Sequence, residues 1–267
     1  MNRIDARFAA LRAVGRKGFV AYIAAGDPDL KTTAALAREF ERVGVDVLEL
    51  GVPFSDPLAD GVVNQLAAER ALRSGTTLDG VLATVAGLRR TGCDIAIVFY
   101  IYYNLIHRHG VERFAKDAAA AGVDGALALD LPPEESAAYE RAMRQAGLSP
   151  IFLIAPTTPE KRVAEICKHA NGFIYYVSRI GVTGMQKTVS SSIAPRIAAI
   201  RRHSRVPVAV GFGVSNPEQV RNIARHGDAV VVGSAIVNQI ANGSDAKAVA
   251  RFVAPMVKAV RDARPQR

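Results

Sequence analysis

Residues 18–51 read GFVAYIAAGDPDLKTTAALAREFERVGVDVLELG, and this stretch decides the fold. It begins with the apolar run Gly18–Ala25 and closes with a second apolar run, Val45–Gly51. Both runs are continuously apolar rather than alternating, which is typical of strands buried on both faces of a parallel sheet. Between them, Leu36 and Phe40 fall on one stripe at helical spacing. The stretch therefore predicts a strand–helix–strand unit with parallel strands.

The same unit recurs along the whole chain. Eight strands are predicted, over Gly18–Ala25, Val45–Gly51, Ile95–Ile101, Gly125–Asp130, Pro150–Ile154, Phe173–Val177, Pro207–Val210 and Ala229–Gly233. Helices are predicted over Leu30–Val43, Val111–Ala121, Pro133–Gly147 and Pro159–His169. Eight such units without a low-complexity linker predict an α/β protein, a (β/α)8 TIM barrel that forms a single domain over residues 1–267. The amphipathic segment Ile4–Val14 predicts an extra N-terminal helix that plugs the bottom of the barrel.

An open, doubly wound sheet is the alternative arrangement of parallel strands. It would usually carry a Gly-x-Gly-x-x-Gly fingerprint after its first strand, whereas residues 24–28 read AAGDP. The barrel is therefore favoured. Two of its connections, 52–94 and 178–206, are unusually long. Because loops after barrel strands carry the chemistry, both are predicted to hold mobile active-site loops.

Residues with special backbone preferences mark the predicted helix ends. Four glycines lie just beyond helices, where a residue with positive φ is favoured. They are Gly44, Gly122, Gly147 and Gly227. Asn216-Pro217-Glu218 combines a capping residue with a first-turn proline and acid, and so predicts the start of a helix.

Composition and charge exclude several classes of protein. The 267 residues are 49% hydrophobic and 22% charged, which is a globular composition. The net charge is +9, but the basic residues are scattered and Trp is absent, so no nucleic-acid partner is predicted. The longest strongly apolar run, Ile95–Tyr103, is far short of the ~20 residues of a membrane helix. A charged N-terminus and two distant cysteines, Cys93 and Cys167, favour a cytoplasmic protein without disulfides.

Glu49 is the first candidate for chemistry. Side chains alternate along a strand, so Val47 and Glu49 share one face while Leu48 and Leu50 share the other. If the leucines pack under the helices, Glu49 points into the barrel near its C-terminal mouth. A buried carboxylate without a partner should have a raised pKa. This position favours a catalytic role over that of a structural carboxylate paired with a buried Arg or Lys.

Asp60 is the second candidate, on the long loop that follows the Glu49 strand. From spacing alone, Asp60-Gly61 is equally well explained as a turn. Asp60 is still a candidate because of its place in the chain, since the loop can fold a second carboxylate over the same mouth. Two prolines, Pro53 and Pro57, stiffen this loop.

Two other chemistries are disfavoured by the residues present. His107-Arg108-His109 has no accompanying cluster of carboxylates or cysteines, so no metal site is predicted and the segment is interpreted as a surface loop. No Lys falls at the end of a predicted strand, which argues against a Schiff-base aldolase.

Glycine clusters follow the last three predicted strands. They are Gly181-Val182-Thr183-Gly184, Gly211-Phe212-Gly213 and Gly233-Ser234. A short helix is predicted over Ala235–Ala241, with Ser234 as its N-cap. Backbone amides in such loops and at such a helix terminus commonly bind phosphate in barrels. Each glycine alone is more simply a turn residue, but three clusters at consecutive strand ends predict a phosphate site.

Several of these segments together resemble one family, the tryptophan synthase alpha chain. The strongest match is residues 48–61, LELGVPFSDPLADG. Further matches are AGDP at 25–28, DLP at 130–132, GVTG at 181–184, GFGVS at 211–215 and GSAIV at 233–237. The resemblance spans about residues 18 to 260 and keeps the order and spacing of the motifs.

The resemblance implies a barrel lyase of L-tryptophan biosynthesis that cleaves indole-3-glycerol phosphate to indole and D-glyceraldehyde 3-phosphate in a retro-aldol sense. It implies that Glu49 transfers protons and that Asp60, as a carboxylate, accepts from the indole N–H. Implied substrate-binding residues are Tyr22, Tyr100, Tyr102, Tyr175, Thr183 and Phe212. Implied phosphate-binding residues are Gly184, Gly211, Gly213, Gly233 and Ser234.

The resemblance also implies a partner. The family works with a beta chain that carries pyridoxal phosphate and receives the indole, in an expected alpha2beta2 heterotetramer, while the alpha chain itself needs no cofactor and no metal. This sequence departs from the family pattern at residues 62–65, which read VVNQ and lack a usual proline. Tyr100 stands where Met or Leu is usual, and Tyr22 where Phe is frequent.

Three other functions stay open from the residues alone. A stand-alone lyase that releases free indole would use the same residues. A phosphosugar isomerase or epimerase would use the same barrel and phosphate site. A non-catalytic allosteric subunit would bind the phosphate ligand without cleaving it. Indole formation measured with and without a beta chain separates all three from the leading function.

Overall fold

Eight parallel strands close into a barrel in the computed structural model, which describes residues 2–177, 186–211 and 213–263, with residues 186–192 described by their backbone alone. The strands pair in chain order, β1 with β2 through to β8 with β1. They are β1 Gly18–Ala24, β2 Val47–Gly51, β3 Ala96–Ile101, β4 Gly125–Ala128, β5 Ser149–Ile154, β6 Ile174–Val177, β7 Val208–Gly211 and β8 Ala229–Val232. The predicted (β/α)8 barrel and all eight predicted strands are confirmed.

Helices surround the outside of the barrel, except for the first, which lies at its bottom. In the described residues they are α1 Arg3–Ala13, α2 Leu30–Val43, α3 Val62–Arg73, α4 Leu78–Arg90, α5 Tyr103–His109, α6 Val111–Ala121, α7 Ala137–Gln145, α8 Glu160–His169, α9 Gln186–His203, α10 Pro217–Ala224, α11 Ser234–Ala241 and α12 Ala246–Arg261. The long connection after β2 is therefore mostly helical, and residues 52–61 form the loop that precedes its first helix. None of the described helices is long and apolar enough to cross a membrane.

Two apolar cores lie on either side of the strands. The outer core joins the outward-facing residues of each strand, such as Leu48 and Leu50, to the surrounding helices. The inner core fills the barrel and contains Val47 together with Ile4 and Phe8 of α1. Helix α1 therefore plugs the barrel bottom, as predicted.

Four local predictions need correction. Residues 133–147 do not form one helix, because a 3-10 turn over Pro133–Glu135 is separated from α7 by Ser136, whose hydroxyl donates to the Pro133 carbonyl at 2.8 Å. Gly227 lacks the positive φ that Gly44, Gly122 and Gly147 adopt. A Cβ at Gly227 would lie 2.6 Å from Val210 Cγ2, so close packing on β7 explains this glycine.

The other two corrections concern helix boundaries. Ser234 is the first residue of α11 rather than its N-cap, and Gly233 takes the capping position. His107, Arg108 and His109 form the end of helix α5 rather than a loop. There His109 Nε2 lies 2.7 Å from an oxygen of Asp117, which gives the ring a structural partner.

Aspartates at the starts of strands fasten neighbouring strands at the barrel bottom. Asp46 accepts from the amide of Phe19 at 2.7 Å, and Asp124 accepts from the amide of Ile97 at 2.8 Å. Both aspartates are buried. Each carboxylate thereby satisfies an amide at the beginning of the preceding strand that the sheet ladder leaves unpaired.

Replacing Asp124 is expected to lower the free energy of unfolding by about 3–5 kcal/mol. Its two oxygens pair with Arg3 Nη1 at 3.2 Å and with Arg89 Nη2 at 3.0 Å. Asp124→Ala leaves the mostly buried Arg89 without a counter-charge. Asp94→Ala is the matched control, because Asp94 also pairs with Arg3 but is 79% exposed, and a shift of no more than about 0.5 kcal/mol is expected. Urea unfolding of both variants tests this, and equal shifts would contradict it.

Candidate active site

Glu49 lies inside the barrel, toward the C-terminal end of β2. It is paired in register with Tyr22 of β1 and Val98 of β3, and its side chain is fully buried. The inward direction follows from strand alternation, because Leu48 and Leu50 pack into the outer core. Neither carboxyl oxygen has a hydrogen-bond partner among the described residues, so no Arg or Lys there neutralises it.

Burial controls the protonation of Glu49. Removal from water raises its pKa from the ordinary value of 4.5 to about 8, and the charge of Asp60 adds to the rise. The two carboxyl groups are therefore close enough to interact. A glutamic acid with this pKa holds its proton at neutral pH, which is the state that a general acid needs.

Asp60 reaches the same mouth from the loop over residues 52–61. Tyr100 donates its hydroxyl to Asp60 Oδ1 at 2.9 Å, and Tyr102 donates to Oδ2 at 2.8 Å. These phenols, with Asn64, favour the charged carboxylate, but loss of water outweighs them and holds the pKa of Asp60 above its ordinary value of 3.8. Asp60 loses its proton before Glu49, because three side-chain donors favour its charged form while neither Glu49 oxygen has a hydrogen-bond partner among the described residues.

Four tyrosines surround the two acids. Tyr22 and Tyr100 meet edge to face, with ring centroids 5.1 Å apart. Burial raises the pKa of Tyr22, Tyr100 and Tyr175 well above 10, with a further contribution from the charges of both acids. The pKa of Tyr102 is also raised, by burial and by its bond to Asp60. All four therefore remain neutral phenols, which keep their protons and can donate hydrogen bonds.

Glycines let these rings approach the strands. A Cβ on Gly51 would lie 2.5 Å from the hydroxyl oxygen of Tyr22, and one on Gly233 would lie 3.2 Å from the same ring. A Cβ on Gly211 would lie 2.9 Å from the Tyr175 ring. Ring packing is thus sufficient to explain Gly211 and Gly233 as glycines. Gly213 differs, because a Cβ there would meet no described atom within 4 Å.

Four of the five predicted phosphate residues lie at the ends of β7 and β8, which are neighbours in the barrel. Gly211 ends β7, and Gly213 is exposed just after it. Gly233 caps α11, and no side chain of the described chain accepts a hydrogen bond from the first turn of that helix. Amide groups at such a terminus are available to an anion, and the helix dipole favours negative charge there. Ser234 is exposed at the same terminus.

Three predicted site residues lie outside the described residues. They are Thr183, Gly184 and Phe212. The structure therefore describes the phosphate site from the side of β7 and β8. It brings together both catalytic candidates and the remaining substrate-binding candidates at the C-terminal mouth.

Three contacts near the site were not predicted from the sequence. Asp27 follows β1, is almost fully buried and forms a bidentate pair with Arg70, with bonds of 2.8 and 2.7 Å. This pair ties the loop after β1 to helix α3. Asn64 Nδ2 lies 3.5 Å from Asp60 Oδ1, and Gln65 donates to the Asp60 carbonyl at 2.9 Å. Their four- and five-residue spacing from Asp60 was the available signal, because α3 begins directly after this loop.

No group of three or more His, Cys, Asp or Glu side chains in the described part of the chain is placed to hold a metal ion. The site therefore presents two carboxyl groups of different pKa, neutral phenols and a helix terminus open to an anion. Such a pair suits proton transfer, because one acid is protonated while its neighbour is charged.

Comparisons with known proteins agree on one family. The model of the family described as "Tryptophan synthase alpha chain" matches residues 8–263. The tryptophan synthase alpha chain of Opitutus terrae is 51% identical over 256 residues, which cover 95% of this chain and 96% of the relative. That of Geobacter sulfurreducens is 49% identical over 263 residues, which cover 98% of this chain and 99% of the relative.

Solved structures show the same likeness. Tryptophan synthase subunit alpha from Legionella pneumophila has a TM-score of 0.89 at 37% identity, covering 97% of this chain and 98% of that chain. A structure of Mycobacterium tuberculosis tryptophan synthase has a TM-score of 0.89 at 33% identity, covering 97% and 98%. The likeness extends over nearly the full length of every chain compared.

Proposed function

The chain belongs to the tryptophan synthase alpha chain family, and from this premise we propose how its own residues carry out the reaction. It is a lyase that cleaves indole-3-glycerol phosphate in the alpha reaction of tryptophan synthase. The observation that supports the roles below is the buried carboxyl group of Glu49, which has no hydrogen-bond partner among the described residues and lies near Asp60. No metal or cofactor in this chain is required by the proposed steps.

Glu49 transfers both protons of the reaction. Holding its proton at neutral pH, it delivers that proton to C3 of the indole ring. The resulting carboxylate then takes the proton of the neighbouring glycerol hydroxyl. The carbon–oxygen bond of that hydroxyl becomes a carbonyl, and the carbon–carbon bond to C3 breaks with its electrons returning to the ring. Positioned proton transfer of this kind contributes about 10²–10⁴-fold to the rate.

Asp60 stabilises the charge that develops in this step. Protonation of C3 makes the indole nitrogen electron-poor, so a carboxylate that accepts from its N–H is bound more tightly in the transition state than in the ground state. Tyr22, Tyr100, Tyr102 and Tyr175 enclose the ring side of the pocket. Thr183 and Phe212 are assigned to the substrate site on resemblance alone.

The phosphate is held by backbone amides. Gly213, Gly233 and Ser234 lie at neighbouring strand ends, beside the open N-terminus of α11. Gly184 and Gly211 complete the proposed set. The binding energy of this remote group places C3 against Glu49. The phosphate group itself is unchanged by the reaction.

Members of the family are known from structures as part of the tryptophan synthase complex. We propose that this chain binds a pyridoxal-phosphate-containing beta chain, as an alpha2beta2 assembly, through an apolar patch beside the site. The patch consists of Leu58, Val62 and Leu66, which are 83%, 70% and 48% exposed. Val62 and Leu66 are spaced four apart at the start of α3 and so share one helix face, and Leu58 lies on the loop just before that helix, two residues from Asp60.

Leu66→Glu is expected to weaken binding of a purified beta chain about 10-fold or more, because it places a charge in the apolar part of the interface. Leu72→Glu is the matched control, since Leu72 is 37% exposed at the far end of the same helix. Titration calorimetry with each variant measures the dissociation constants. Equal affinities of Leu66→Glu and the unmodified chain for the beta chain would show that the patch is not part of the interface.

The central experiment measures indole formation from indole-3-glycerol phosphate, with and without a beta chain. Stimulation by the beta chain supports the subunit role, and an unchanged rate favours a stand-alone lyase. Phosphate-ligand binding without cleavage would leave only an allosteric role.

We also propose a cytoplasmic location. Cys93 and Cys167 are free thiols, as expected of a protein that works in a reducing compartment.

A further inference from the structure

Asp60 is held on the loop over residues 52–61, where Val52 and Pro53 are buried but Leu58 and Ala59, just before Asp60, are exposed. Leu58, two residues earlier, is 83% exposed, so the loop gains little from apolar burial at that point. Its long-range bonds run instead to β3 and the residue after it. Besides the two phenol bonds to the Asp60 carboxylate, the Ala59 amide donates to the Tyr102 hydroxyl at 3.0 Å.

The two phenols that hold Asp60 differ in how firmly they are placed. Tyr102 lies past the end of β3, at the start of helix α5. Tyr100 lies within β3, where its backbone is paired with Gly51 on one side and with Leu127 on the other. Its ring packs edge to face on Tyr22, inside the barrel. The sheet therefore fixes the Tyr100 hydroxyl more directly than that of Tyr102.

The position of the Tyr100 hydroxyl is matched to one oxygen of Asp60. It donates to Oδ1 at 2.9 Å, while Tyr102 occupies Oδ2 at 2.8 Å. Two donors on different oxygens fix the plane of a carboxylate, whereas one donor leaves it free to turn. Asn64 Nδ2 also approaches Oδ1, at 3.5 Å, so the second lone pair of Oδ2 is the one left to accept the indole N–H.

We propose that Tyr100 is a positioning residue, which orients the Asp60 carboxylate toward the pocket before substrate or partner binds. The inference rests on the proposed function and deepens it. The isolated chain then already holds Asp60 in its reacting orientation. Binding of the beta chain is not needed to orient this carboxylate.

Other groups face Asp60 from several elements. These are Glu49 of β2, Tyr22 of β1, Tyr175 of β6, Tyr102 after β3 and Asn64 of α3. Glu49 is neutral when Asp60 is charged, and the tyrosines are neutral throughout. Loss of the Tyr100 hydroxyl therefore removes a donor that favours the carboxylate, without removing a charge.

Tyr100→Phe is the test, because it keeps the ring and its contact with Tyr22. In the isolated chain, kcat is expected to fall about 10-fold or more, as for loss of a hydrogen bond to a charged group, while KM changes little. The acid limb of the pH profile of kcat should move to higher pH, because Asp60 becomes easier to protonate. Unchanged kcat and an unchanged acid limb would overturn the proposal.

A double-mutant cycle shows whether Tyr100 acts through Asp60. In an Asp60→Asn background, Tyr100→Phe should reduce kcat by less than about 2-fold, because the group that it orients is gone. The same 10-fold loss in both backgrounds would mean that Tyr100 contacts the substrate directly, and would overturn the positioning role. Tyr139→Phe is the matched control, since it removes a buried hydroxyl that donates to Ala126 at 2.8 Å, away from the site. It should lower thermal stability and leave the pH profile unchanged.

A measurement without turnover separates this inference from the proposed function. The carboxyl carbon of Asp60, labelled with carbon-13 and assigned with Asp60→Asn, is titrated by NMR in the unmodified chain and in Tyr100→Phe. A higher midpoint in the variant supports the positioning bond even if the chain makes no indole, in which case the proposed function alone has failed. Equal midpoints overturn the inference even if cleavage is normal.

Discussion

Glu49→Gln is expected to lower kcat for indole formation by about 10²-fold or more, because the amide can neither deliver the proton to C3 nor take it from the glycerol hydroxyl. The shape of the side chain is kept, and KM should change little. Glu69→Gln, on the exposed side of α3, is the matched control and should leave kcat unchanged. Steady-state assays at pH 7 decide the matter, and turnover by Glu49→Gln at the unmodified rate would reject the role of Glu49.

The raised pKa of Glu49 makes a separate check possible. With a pKa of about 8 when folded and an ordinary value of 4.5, the folded chain keeps a proton that the unfolded chain releases between these two pH values. The contribution of Glu49 to stability is therefore complete below pH 4.5 and is lost as the pH rises to about 8. Glu49→Gln does not titrate, so its melting temperature should rise relative to the unmodified chain across this range. If the difference in melting temperature stayed constant with pH, the side chain of Glu49 would be exposed to water and its pKa would not be raised.

The same protonation sets the alkaline side of the activity profile. In the proposed mechanism the reaction begins with protonated Glu49, so kcat/KM of the unmodified chain should fall above a pH of about 8.

Asp60→Asn is expected to lower kcat by roughly 10²-fold, which is the usual scale for loss of one group that stabilises transition-state charge. An asparagine oxygen still accepts from the indole N–H, but it carries no charge to balance the electron-poor ring. The effect should therefore fall on kcat more than on KM. Measurement of both constants in the isolated chain tests this.

Asp56→Asn is the matched control for Asp60→Asn. Asp56 lies on the same loop, four residues earlier, and is exposed. Its replacement in the isolated chain should change kcat by less than about 2-fold. If the two variants lost the same activity, a general effect on the loop would explain both, and Asp60 would lose its special role.

Much of the architecture was predictable because the burial of a segment depends on its local pattern of apolar residues. Continuous apolar runs marked strands covered on both faces, and all eight formed within two residues of the predicted ends. Alternation placed Glu49 inside the barrel, because Leu48 and Leu50 had to face the helices. Local errors arose where tertiary packing overrode a local signal, as at Gly227, where β7 approaches too closely for a side chain.

The sequence by itself determined the barrel, the inward direction of Glu49 and the family, since these depend on periodicity, alternation and motif order. Only the tertiary structure decided that Asp60 meets Glu49 and that Tyr100 and Tyr102 hold its two oxygens, because these bonds join residues about 40 positions apart. The spacing of residues along the sequence does not predict how the loop that carries Asp60 folds back over the barrel. Distance and burial in the folded molecule decide which of two neighbouring acids keeps its proton.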